Sequence, residues 1–179
     1  LYIEIKYAKK ILEIITEGGK NFNLAYSGAH AMDIMRMEKG YLHWGHDISP
    51  GENPYEAGLG FAVKLNKESD FIGKTNLINL KDKQKKQFAM FTLDKSTPGY
   101  PLLLHDEPIY YENRIIGETT SGNYSFNFNK NIAFGYIDTS IDLNKVKNNF
   151  FEVEVAKIKY KAYLLLESLH DPKNVYIKS

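Results

Sequence analysis

The 179-residue chain has no cysteine. This excludes disulfides, thiolate metal sites, cysteine nucleophiles and cysteine-ligated clusters together, and it fits a reducing compartment. Arginine is nearly absent as well: Arg36 and Arg114 are the only two, and lysine supplies the other cations. Nor is there an excess of either charge sign, since 23 Lys and Arg face 22 Asp and Glu for a formal net charge of +1. A nucleic-acid or membrane-surface binder calls for a basic surplus that this chain lacks. No stretch approaches the roughly 18–20 apolar residues of a membrane helix. Glu4, Lys6, Lys9 and Lys10 interrupt the apolar residues that a signal peptide would need. Repeats and low-complexity blocks are missing, and so is an initiating methionine: the chain opens on Leu1 and reads as a piece of something longer.

What remains is an ordinary globular composition, 43% hydrophobic and 25% charged, long enough for one domain or two small ones. Leu1, Ile3 and Ile5 alternate like the end of a strand. The period then changes, and Ala8, Ile11, Leu12 and Ile15 share a helical face that Gly18-Gly19 ends. Ser27 is placed to cap a second helix through Ala31, Ile34, Met35 and Glu38, stopped by Gly40. Pro54 suits the first turn of a short helix through Glu56 and Ala57, Phe61–Leu65 reads as a strand, and Thr75–Leu80 as a short helix. Lys81 to Lys86 is charged and free of large apolar residues, as a domain boundary or connector is. Beyond it, strands are expected over 87–93, 107–111, 114–119, 132–138, 150–155 and 158–166, with a tight turn at Glu112-Asn113. Six short strands make a small barrel or sandwich. The class is α+β, an α/β piece followed by a β domain.

Several residues invite a chemical reading. His43, His46 and Asp47 have metal-permissive spacing, but a hydrogen-bonded turn explains them as well and no further ligand is evident. Ser121 with His105 and Asp106 lacks a nucleophile-elbow pattern, and hydroxyls at a strand end are usually turn residues. Lys83, Lys85 and Lys86 are read as a solvated connector before a phosphate site. Gly58, Gly60 and Gly73 fit no phosphate-loop spacing and are read as turn glycines. Trp44, the only tryptophan, is read as a core or lid residue or as a face on which a flat heterocycle stacks. These patterns give a fold class and no reaction.

The run from Ala31 to Ile48, A-M-D-I-M-R-M-E-K-G-Y-L-H-W-G-H-D-I, adds a resemblance. It is similar to the D-S-L-R-L-E-K-G segment of the aminomethyltransferase family, the T-protein of the glycine cleavage system. It is nearer still to the folate-binding region of dimethylglycine and sarcosine dehydrogenases. Pro54–Gly60 resembles the family's P-x-E-A-G-L, Asp70–Lys74 its D-F-I-G-K, Thr119–Gly122 its T-S-G and Ala133–Ile137 its A-x-G-Y-V. His105–Ile109 and Leu169–Pro172 favour the dehydrogenase branch. The shared order covers nearly the whole chain.

The resemblance implies the C-terminal part of a folate-binding middle domain over 1–82 and a small antiparallel β-barrel over 83–179. It implies tetrahydrofolate as cofactor, with FAD on a missing upstream domain in the dehydrogenase branch. A one-carbon unit would pass to folate from an aminomethyl group or imine, so a small amine-derived substrate and the missing N-terminal part are the expected partners. Trp44 falls where the family has a tyrosine lining the folate site, and Tyr176 lies at or next to a second folate-contacting tyrosine, Val175 being the other register. Met32 replaces a folate-contacting arginine of the T-protein branch. Arg36 is expected to be structural, pairing with Glu38 or Glu56. No metal ligand is implied. The catalytic carboxylate is expected upstream of Leu1, which would leave these 179 residues inactive alone. The compartment implied is the cytoplasm, or the mitochondrial matrix in a eukaryote. A non-catalytic folate-binding or interaction module and a related folate-dependent demethylase are the alternatives. An iron–sulfur-maintenance relative is disfavoured, because its K-G-C-Y-x-G-Q-E motif needs a cysteine where this chain has Ser69–Thr75.

Overall fold

A computed structural model describes residues 1–178 and divides the chain into two compact units, Leu1–Met32 and the residues from Asp33 onward. In the first unit, helix α1 (Ala8–Gly19) forms on the predicted apolar spacing and passes through a 3-10 turn, Lys20–Phe22, to a left-handed Asn23. The chain then doubles back. Leu24 N–H donates to the Gly19 carbonyl at 3.2 Å, and Thr16 and Tyr26 hydroxyls meet at 2.6 Å. Gly19 makes this approach possible, since a Cβ there would lie 2.5 Å from the Leu24 side chain. No residue of 1–32 is buried. The strand expected at Leu1–Ile5 does not form: Leu1–Glu4 is irregular and Ile5–Tyr7 is a 3-10 turn. Alternation alone cannot make a strand where no neighbouring strand satisfies its backbone.

Helix α2 spans Ala29–Glu38, beginning two residues after Ser27, and α3 spans Lys74–Leu80. Six strands follow: β1 Lys86–Leu93, β2 Pro108–Tyr111, β3 Arg114–Ser125, β4 Lys130–Asp138, β5 Phe150–Val155 and β6 Ile158–Leu165. A one-turn helix, α4 (Leu143–Val146), precedes β5 and is capped by Asp142. Every pairing is antiparallel and the order β1-β4-β3-β2-β5-β6 closes on itself. The fold is therefore α+β with a closed barrel, and closure leaves no strand edge open; the piece before Lys86 holds helices and turns without a strand, so it is not the α/β piece expected. Phe61–Leu65 is not a strand; it starts as a 3-10 turn, Gly60–Ala62, with no partner strand. The helix expected after Pro54 is only a single turn, ended by left-handed Gly58 at φ +70°.

The barrel interior follows the strand period. Ala89, Phe91 and Leu93 of β1 meet Ala133 and Ile137 of β4, Phe151 and Val153 of β5, and Ala162 and Leu164 of β6. Each fully buried Phe, Ile or Val contributes about 1.5–3 kcal/mol. β4 is buried on both faces, because its alternate residues Ile132 and Phe134 pack outward against Ile34 and Met37 of α2. That explains its unbroken run I-A-F-G-Y-I, where a half-exposed strand would alternate with polar residues. Glycine is required on β3 and β4: a Cβ at Gly122 would lie 2.1 Å from Leu103, and one at Gly135 would lie 2.4 Å from the Glu118 carbonyl.

Candidate functional site

The site grows from the end of α2. Gly40, at φ +76°, closes the helix with two bonds, Gly40 N–H to the Met37 carbonyl at 3.0 Å and Tyr41 N–H to the Arg36 carbonyl at 2.8 Å. This glycine-terminated cap turns the chain sharply and releases it into the segment 43–48. There the His43 carbonyl accepts from the backbone of His46, Asp47 and Ile48, and left-handed Gly45 returns its N–H to the Ile48 carbonyl at 2.8 Å. Trp44 sits in this loop with its indole 67% exposed.

Asp47 fastens the loop to the barrel. It is 1% exposed and five donors surround it. Arg36 Nη1 lies 2.5 Å from Oδ2, and the His43 N–H donates to the same oxygen at 2.8 Å. The Thr120 and Ser121 hydroxyls donate to Oδ1 at 2.6 and 2.8 Å. The Tyr136 hydroxyl donates to the Asp47 carbonyl at 2.9 Å. Burial, then the charges of Glu52, Asp47 and Glu56, push the Tyr136 phenol far above its ordinary value, so it remains a donor.

Two adjacent strand residues normally point to opposite faces. Thr120 and Ser121 reach one carboxylate oxygen because the β3–β4 register shifts between Thr119 and Ser121, a bulge that re-aims a side chain. Beyond the bulge, β3 lays alternate residues on α2. Ser121 accepts from Arg36 Nη2 at 2.7 Å, Asn123 donates to Asp33 at 3.2 Å and Ser125 donates to Glu38 at 2.6 Å. Arg36 also pairs with Asp33 at 2.8 Å and lies over the Phe134 ring at 5.3 Å. Its ion-pair partners are thus Asp33 and Asp47, not the expected Glu38 or Glu56. Glu38 is buried and taken by Ser125 and Asn127, while Glu56 accepts from the Asn53 backbone.

Tyr176 lies on a different segment. The chain after β6 runs along the end of α2, where Leu169 joins the Ile34, Met37 and Phe134 cluster and His170 N–H donates to the Glu38 carbonyl at 2.8 Å. Tyr176 begins a 3-10 turn, Tyr176–Lys178, and its ring stacks on His170 with centroids 6.4 Å apart. It is 74% exposed.

The other candidates resolve into structure. The His43 and His46 rings lie 4.6 Å apart, but Asp47 is spent on Arg36 and β3. Among the described residues, no three His, Cys, Asp or Glu side chains gather as metal ligands would. His105 pairs with Asp106 at 2.7 Å, while Ser121 bonds to Asp47 and Arg36, so the hydroxyl is engaged away from that pair. Lys86 belongs to β1, pairs with Glu52 at 2.6 Å and covers the Tyr136 ring. Asp33, Thr120 and Tyr136 lie inside the motifs that carry the resemblance and Asn123 outside them, and all four gain a role only in the fold. A signal was available in the polar alternation Ser121, Asn123, Ser125, which continues β3 at strand period.

A small closed barrel with a helix and an anchored aromatic loop on its outer face defines the class, and the comparisons name it. Residues 1–67 match the GCVT N-terminal domain and 86–171 the glycine cleavage T-protein C-terminal barrel domain. The chain belongs to the glycine cleavage T-protein (aminomethyltransferase) family. It is 34% identical over 173 residues to human mitochondrial dimethylglycine dehydrogenase, covering 94% of this chain and 19% of that protein. It is 36% identical over 141 residues to the aminomethyltransferase of Symbiobacterium thermophilum, covering 76% of this chain and 36% of that enzyme. The aminomethyltransferase T structure from Bartonella henselae shares the fold, with a TM-score of 0.78 and 21% identity, over 95% of this chain and 45% of that one. The chain thus spans about a fifth of the dehydrogenase it matches.

Proposed function

We propose that this chain forms one wall of a tetrahydrofolate site in a longer, folate-dependent one-carbon transfer enzyme of the aminomethyltransferase or dimethylglycine/sarcosine dehydrogenase kind. The observation that carries this is Trp44: a two-thirds exposed tryptophan on a loop that four hydrogen bonds to Asp47 tie to helix and barrel. A large aromatic left open to solvent on a rigid support suits stacking on a flat pterin. Tyr176 is the second aromatic contact. Tetrahydrofolate supplies the nitrogen that accepts the one-carbon unit; this chain binds and orients it. The catalytic carboxylate comes from residues upstream of Leu1, and so, in the dehydrogenase branch, does an FAD domain that makes an imine from a small amine.

The chain divides into the C-terminal part of a folate-binding middle domain over 1–82 and a C-terminal β-barrel domain over 83–179, a reading supported by family matches that end at 67 and resume at 86. No helix among the described residues is long and apolar enough to cross a membrane. The cytoplasm, or the mitochondrial matrix in a eukaryote, is the compartment proposed. The test is methylene-tetrahydrofolate formation from an aminomethyl or imine donor. The full-length protein is expected to form it and the isolated 179-residue chain is not. Formation by the isolated chain would refute the placement of the catalytic carboxylate.

A further inference from the structure

Val175, Tyr176 and Ile177 are 62%, 74% and 66% exposed, so apolar burial does not hold this segment. Polar bonds must. The Asp171 carboxylate accepts the Val175 N–H at 2.6 Å and is bonded by the Tyr176 backbone as well. Its other oxygen pairs with Lys39 Nζ at 3.2 Å, and the same ammonium donates to the Asp171 carbonyl at 2.5 Å. The pair is nearly dry, with side chains 12% and 4% exposed. Lys39 directly follows α2, whose packing on β4 fixes it in space. Burial pushes the Asp171 carboxyl up, but the Val175 amide, Lys39 and the Tyr176 backbone outweigh it and hold the group below the usual carboxylate value.

We infer that Lys39 and Asp171 form a latch that positions Tyr176, carrying the rigidity of α2 to a segment with no core of its own. This rests on reading Tyr176 as a folate contact. Lys39 and Asp171 act through Tyr176 and need not touch the ligand.

The test uses the full-length protein and the variants K39M, D171N, Y176A and Y176A/D171N. Two readouts are taken: hydrogen exchange over 171–178, and tetrahydrofolate affinity by calorimetry. In K39M and D171N, exchange over 171–178 should accelerate about tenfold or more while the barrel strands stay protected, as expected for local opening. Y176A should bind about tenfold more weakly, D171N should lose no more than Y176A, and the double variant should match Y176A, because residues acting through one group are non-additive. Unchanged exchange in K39M and D171N would overturn the latch, as would wild-type affinity in both variants alongside a weakened Y176A. Wild-type affinity in Y176A with accelerated exchange in the latch variants would overturn the folate reading of Tyr176, and the positioning role with it.

Discussion

Arg36 and Asp47, eleven residues apart, meet at 2.5 Å, with the Asp47 side chain fully sequestered. Ser121 closes a ring between them, accepting from Arg36 Nη2 at 2.7 Å and donating to Asp47 Oδ1 at 2.8 Å. A helix, a loop and a strand thus converge on one carboxylate. Dry ion pairs are costly to form and costlier to break from one side.

Asp47→Ala should therefore destabilise the protein by about 3–5 kcal/mol, because Arg36 keeps a buried charge with one partner fewer. Urea unfolding of wild type and variant checks this. Arg36→Met combined with Asp47→Leu should cost less than the two single changes added together. A loss under about 1 kcal/mol for Asp47→Ala would mean that the pair is as weak as a surface salt bridge.

The T-S-G segment is constrained by space. Gly122→Ala places a Cβ 2.1 Å from the side chain of Leu103, a buried residue of the β1–β2 connection that packs into the barrel core. Overpacking of this kind costs about 1–3 kcal/mol. A lowered urea midpoint with unchanged slope is the expected result; an unchanged midpoint would show that Leu103 yields freely.

Glu52 gives the acid limb a sign. Burial raises its carboxyl, but Lys86 and the Ser49 hydroxyl and amide lower it further, leaving it below the ordinary value when folded. A folded value under the unfolded one means that the contribution is complete above the unfolded value, about 4.3, and is lost as pH falls through the folded one. Glu52→Gln should flatten the loss of stability as pH falls from about 5 to below the ordinary carboxylate range. Thermal melts across that range read it directly; the same acid slope in the variant would contradict it.

The barrel was legible in the sequence because its strands alternate or, like β4, run apolar between turns. The pattern ends β3 at 119, because Thr120–Ser125 is mostly polar and carries a glycine, whereas the strand runs on to Ser125. Thr120, Ser121, Asn123 and Ser125 are not solvent-facing turn residues; they bind the carboxylates and guanidinium of α2 and the Asp47 carboxylate of the loop, a tertiary fact that no local pattern states. The sequence points Arg36 to Glu38 or Glu56, whereas the cap at Gly40 swings the chain round and delivers Asp47 instead. Leu1–Ile5 and Phe61–Leu65 misled in the opposite way, since their alternation has no neighbouring strand to satisfy it. Of the site itself, Trp44 and Tyr176 came from resemblance; the groups that hold them came only from the folded chain.

The most direct test of the folate wall is calorimetric titration of tetrahydrofolate into the full-length protein, its Trp44→Ala variant and its Trp44→Phe variant. Loss of an aromatic stacking face is worth about 1–3 kcal/mol. Trp44→Ala should therefore bind roughly tenfold or more weakly, and Trp44→Phe should keep most of the affinity. Wild-type affinity in Trp44→Ala would contradict the assignment of this loop to the folate site.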